Sequence, residues 1–202
     1  EDPSLDGFPV AERVILVRRA FAGVRDVHER LAVLGTARDH KMAEAIPEIA
    51  RILQAPDDGC HNLALATLGE IGTPAEAPLL RAALRSTDAK TRCTAVEAFF
   101  RVWDAESAKA LIACLHDPSS GVRHTAAQLI SWRELAEAVP ALVGLLSDEE
   151  PLVRVDALEA LDRLGAVGEI DRIEPLLKDG NVHIRLHAAA ALCRLGSRKG
   201  VG

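Results

Sequence analysis

His183 and His187 lie four residues apart, so a helix would present both on one face, and Asp156 falls 31 residues before His187. Imidazoles at that spacing with a carboxylate nearby are ligand types that zinc accepts. No glutamate stands between the two histidines and no further ligand accompanies them, so surface histidines are the simpler reading and no metal is expected. Cys93 and His124, also 31 apart, are a nucleophile and a base by type. Without a third orienting group or an oxyanion feature they assign no catalytic residue, and the chain is expected not to be an enzyme and to need no cofactor. Cys60, Cys93, Cys114 and Cys193 show no short paired spacing. Cys60 and Cys114 occupy apolar phases, which points to reduced structural thiols.

The elements that would position these groups follow from a repeat. Asp148-Glu149-Glu150-Pro151 opens a helical pattern in which Val153, Ala157, Leu158 and Leu161 are the apolar positions. Shifted by 31 residues the pattern recurs, and Arg92, Arg123, Arg154 and Arg185 fall in one phase. A preceding helix in each unit carries Ile49, Leu80, Leu111, Leu142 and Ile173, then Leu53, Leu84, Leu115, Leu146 and Leu177 four residues on. The second helices carry Ala64, Ala95, Ala126, Ala157 and Ala188, each followed by Leu68, Phe99, Ile130, Leu161 or Leu192. A small residue in every copy lets adjacent helices approach, and the large one fills the space between layers. Such a period predicts an all-α solenoid of stacked antiparallel helix pairs. Pro47, Pro78 and Pro140 share a phase at which these first helices should begin or bend. Thr73-Pro74-Ala75-Glu76 reads as a capping box, and turns are expected at 69–74, 117–121, 165–168 and 178–181.

Composition narrows the classes further. Of 202 residues 49% are hydrophobic but only 3% aromatic, with no Tyr, so the core must be Ala, Leu, Val and Ile. A net charge of -6 argues against a generic nucleic-acid binder, which carries a basic excess. No apolar run approaches the ~20 residues of a membrane span, and no signal-peptide pattern opens the chain. The expectation is a soluble cytoplasmic protein. The non-Met start and polar ends suggest a trimmed chain or an excised domain.

At these residues the chain resembles the HEAT repeats, and within them the short units of the phycobilin lyase type. The likeness rests on Pro-Ala-Leu-Val-Gly-Leu-Leu-Ser-Asp at 140–148 and Val-Arg-Val-Asp-Ala-Leu-Glu-Ala-Leu-Asp-Arg-Leu-Gly at 153–165, with similar units at 117–130 and 184–196. It covers about 42–196 and implies a right-handed superhelix whose second helices line the concave side. Cys60-His61, Thr91-Arg92 and Trp103 depart from the usual pattern, as in a diverged natural array. Residues 1–9 then read as a tail, 10–41 as a degenerate N-terminal capping repeat, 42–196 as five repeats and 197–202 as a C-terminal tail.

In the first turn of a helix a cation opposes the dipole unless it is paired. Asp117, Asp148 and Asp179 stand six residues before Arg123, Arg154 and Arg185, which predicts an Arg/Asp ladder stitching repeats together. The position holds Ala55 and Ser86 earlier in the chain. Along the second helices one column is Ala66, Glu97, Gln128, Glu159 and Ala190, and the next is Glu70, Arg101, Trp132, Arg163 and Arg194. With His124, the residues Glu97, Arg101, Gln128, Trp132, Glu159, Arg163 and Arg194 form the candidate partner-binding face. A Trp among arginines has the composition of binding hot spots. The plain alternative is a solvated face on which Glu97 pairs with Arg101 and Glu159 with Arg163 at helical spacing.

The leading expectation is a noncatalytic scaffold gripping a protein or peptide along this face. The resemblance also implies a chromophore-handling subunit of a bilin lyase-like complex. A third alternative resembles the HEAT-like alkylpurine DNA glycosylases, against which Glu97, Glu159 and the net acidity weigh.

Overall fold

The structure is a computed structural model that describes residues 9–56 and 59–199, with side chains to 196. The expected tails at 1–9 and 197–202 fall largely outside the described residues, although α12 runs through Lys199. Among the described residues there are twelve α-helices and no strand. They group into two compact units, Glu1–Ser107 and Ala108–Gly202.

The first unit holds α1 (Val10–Ala22), α2 (Val27–Asp39), α3 (Ile46–Gln54), α4 (His61–Ile71), α5 (Ala77–Ala83) and α6 (Ala89–Ala98). Short 3₁₀ turns lead into α3 and α5, and Pro47 and Pro78 then take the second helical position, where their missing N–H costs no hydrogen bond. Thr73 and Glu76 form the reciprocal cap: the Thr73 amide donates to the Glu76 carboxylate at 2.7 Å and the Ala75 amide to Thr73 Oγ1 at 3.3 Å. Asp26 caps α2 by accepting from the Glu29 amide at 2.9 Å, and the helix runs to Asp39.

Second helices α2, α4 and α6 pack side by side. Ala64 and Ala95 are fully buried, with Leu68 and Phe99 sealed beside them. Gly69, expected in a turn, instead lies inside α4, where a Cβ would stand 3.0 Å from Ala98 Cα. The residue is a close-approach point and not a helix stop. Trp103 is accounted for by its edge-to-face contact with Phe99, ring centroids 6.3 Å apart.

The second unit carries the same design in α7 (Ser107–Ala113), α8 (Ser120–Arg133), α9 (Val139–Leu145), α10 (Pro151–Arg163), α11 (Ile170–Ile173) and α12 (Val182–Lys199). Pro140 is again the second residue of its helix, and Pro151 is the first of α10. Helix α10 packs against both α8 and α12. Leu111, Leu142 and Ile173 on the first helices and Ala126, Ala157 and Ala188 on the second are all fully buried. Each Leu or Ile so buried contributes about 1.5–3 kcal/mol, which explains how a core almost without aromatics holds. All four cysteines are thiols, with Cys60 and Cys114 in the core.

Candidate binding face

The repeated arginine does two jobs at once. Arg123 Nη1 donates to the carbonyls of Asp117 and Pro118 at 2.8 and 3.2 Å, closing the turn that precedes its own helix. The remaining edge of the guanidinium grips Asp148, Nε to Oδ2 at 2.7 Å and Nη2 to Oδ1 at 2.8 Å. Arg154 repeats the turn contact through the carbonyls of Asp148 and Glu149 and reaches Asp179 more loosely, at 3.3 and 3.5 Å. Thus the aspartate six residues before each arginine offers its carbonyl, and the carboxylate comes from the aspartate 25 residues later, on the following layer. Arg92 explains why the pattern survives Ser86: it binds the carbonyls of Ser86 and Thr87, which any residue supplies.

Electrostatics follow the geometry. Burial pushes the Asp148 carboxyl up, but hydrogen bonds from Arg123 and the Glu150 amide, with the charges of Arg123 and Arg154, leave it below the ordinary carboxylate value. Arg123 is raised in turn, chiefly by its hydrogen bond to Asp148.

A groove of about 460 Å³ runs over α8, α10 and α12. Gln128, Trp132, Glu159, Arg163 and Arg194 all line it. Trp132 is 67% exposed, and the Arg163 guanidinium carbon lies 5.5 Å from the centre of its ring. Along the groove, pairs tie each helix to the next. His124 Nδ1 and Asp156 Oδ2 share a hydrogen bond of 2.5 Å, His187 Nδ1 lies 3.2 Å from Glu159, and Arg194 Nε donates to Asp162 at 2.5 Å. Burial raises the Asp156 carboxyl above its ordinary value, with His124 pulling partly back.

These partners differ from those that helical spacing implies. Glu159 pairs with His187 and not Arg163, because Arg163 stacks on Trp132 instead. In the first unit Arg101 reaches Glu70 on the preceding layer, 3.4 Å to its carbonyl and 3.8 Å to its carboxylate, in place of Glu97. Glu97 and Arg101 line a smaller groove, with Phe100 exposed beside them. Sequence reasoning missed Phe100, Asp156 and Asp162 as face residues: Phe100 and Asp162 share a phase with Gly69 and the buried Ser131, and Asp156 enters the sequence reading only as a metal ligand. His183 and His187 do not converge on Asp156, which belongs to His124. Among the described residues no group of three His, Cys, Asp or Glu side chains could hold a metal ion. None of their helices is long and apolar enough to cross a membrane.

A family model for HEAT repeats matches residues 78–162 and 108–193, more than half of the chain. The protein belongs to the HEAT-repeat family. One similar structure is the complex of CpcE and CpcF of phycocyanin lyase from Nostoc sp. PCC7120, at 26% identity and TM-score 0.64. That match covers 75% of this chain, which spans only 65% of the lyase chain. A designed armadillo repeat protein in complex with the peptide (KR)4 matches 93% of the chain and 100% of its own length at 18% identity and TM-score 0.63. Cex1p matches at TM-score 0.70 and 17% identity, over 93% of this HEAT-repeat chain and 44% of its own. The last two share the fold alone. No curated protein matches the sequence.

Proposed function

We propose that the protein is a noncatalytic HEAT-repeat scaffold that holds a protein or peptide segment against the second-helix face of its C-terminal unit. One observation carries the reading: Trp132 stands open beside Arg163 in a groove whose three helices are joined by inter-helix pairs. A large, rigid aromatic face costs little entropy to present, and the packed helices that carry it are in place before any ligand arrives. Asp156, Glu159 and Asp162 against Arg163 and Arg194 give no cation excess, so the groove suits a polypeptide better than phosphate groups.

Affinity capture by the full chain, compared with Trp132→Ala and Arg163→Glu, tests this. A partner held here should lose about 30-fold or more in affinity with either variant, the scale of a 2 kcal/mol hot spot. Undiminished binding removes this face. A second reading, a subunit that handles a bilin chromophore, rests on the 26% identity to the lyase complex. Absence of any absorbance change on incubation with a bilin ends it.

A further inference from the structure

The groove over α8, α10 and α12 holds three carboxylates and two arginines, and their charges are not equally engaged. Asp156 bonds His124 at 2.5 Å and accepts from Gln128, Glu159 lies 3.2 Å from the His187 imidazole, and Asp162 accepts from Arg194 Nε. Each acid of the groove thus already has a base on a neighbouring helix. Arg163 has no such partner. Its guanidinium carbon stands 5.5 Å from the centre of the Trp132 ring, and among the described residues no carboxylate or carbonyl accepts from it. Guanidinium carries five N–H donors in a rigid fork, and attraction to a ring face consumes none of them as a hydrogen bond to oxygen.

A cation in the last turn of α10 also suits the helix dipole. That accounts for the charge of Arg163 but not for its place over an exposed indole. The chain as a whole is acidic, at -6, yet charges farther apart than ~8 Å are largely screened at physiological salt. The groups inside the groove therefore set its preference. A basic segment would have to draw an acid away from the base that holds it, whereas an acidic one meets donors that nothing in the groove accepts from.

We infer that the segment held in this groove pairs an aromatic side chain with an aspartate or glutamate. The ring stacks on Trp132, and the carboxylate closes on the outward edge of Arg163 through two parallel N–H···O bonds. Trp132 and Arg163 are adjacent, so the two groups of the segment occupy neighbouring positions on one of its faces. These are about two residues apart in an extended chain and three or four in a helix. The inference rests on the proposed binding role of this face and adds the chemistry of what it takes.

The test selects peptides from a random library on the full chain, with Trp132→Ala used to discard those bound elsewhere. Binding of the survivors, as fluorescein conjugates, is read by anisotropy at about 0.15 M salt. They should share an aromatic residue and an acid at the stated spacings, and replacing the acid by its amide should weaken binding about tenfold or more. Exchanging that acid for lysine should restore binding to Arg163→Glu, an outcome that a misfolded variant cannot produce. Peptides that depend on Trp132 but bind through lysine or arginine, or whose acid can be amidated without loss, overturn the inference and leave the groove as a binding face. A library that yields no peptide dependent on Trp132 overturns both.

Discussion

The arginine file should show a graded energetic signature, because its members differ in what they hold. Removing one partner of a buried ion pair costs about 3–5 kcal/mol when the survivor stays buried and uncompensated. Arg123 and Asp148 approach that limit: their side chains are 9% and 7% exposed and make two charge-assisted bonds at 2.7 and 2.8 Å. Arg123→Ala should thus cost about 3 kcal/mol, and a double-mutant cycle with Asp148→Ala should return a coupling of about 2 kcal/mol. Arg154 and Asp179 are wetter, at 16% and 18%, and their contacts of 3.3 and 3.5 Å are long. Their coupling should be about 0.5–1 kcal/mol, as for an exposed pair. Arg185→Ala loses only turn contacts and should cost about 1 kcal/mol. Urea unfolding followed by circular dichroism and by Trp fluorescence, with coincident transitions, gives all three values. Equal couplings along the file, or a Arg123/Asp148 coupling below about 0.5 kcal/mol, would refute the claim that burial and bond length set the gradient.

Two further expectations concern backbone packing and pH. A methyl group at position 72 would meet the Leu68 carbonyl at 2.5 Å and Val102 Cγ2 at 2.8 Å, so Gly72→Ala should destabilise by about 1–3 kcal/mol, read as a lowered urea midpoint; an unchanged midpoint would show that the α4 end yields freely. Burial holds Asp156 above the ordinary carboxylate value, so the folded chain binds this proton more tightly than the unfolded chain does. Stability from this group is greatest below the unfolded value of about 3.9 and falls as pH rises through the folded one. Asp156→Asn removes that fall, and the variant should gain on the wild type across the acid window; a difference that stays constant with pH would count against it.

Periodicity alone determined the helix pairs and most of the core, although Leu53, Leu84 and Leu192 of the same stripes are half-exposed and Leu177 is exposed. The reason is that a solenoid buries each unit only against its neighbours, so the phases of Leu111, Leu142 and Ile173, or of Ala126, Ala157 and Ala188, carry the whole packing rule locally. The arginine file was equally legible as a set of equivalent positions. Which group each arginine holds was not, because the carboxylate 25 residues on and the carbonyl six residues back become neighbours only when one layer lies on another. The same holds for the groove: Trp132 and Arg163 are read from phase, but the stacking of one on the other, and the choice of Glu159 for His187, are settled across helices. Gly69 shows the converse error, a residue read as a turn that lies inside a helix, its missing Cβ leaving room for Ala98. Local pattern decides where a side chain points; the distance between layers decides what it meets.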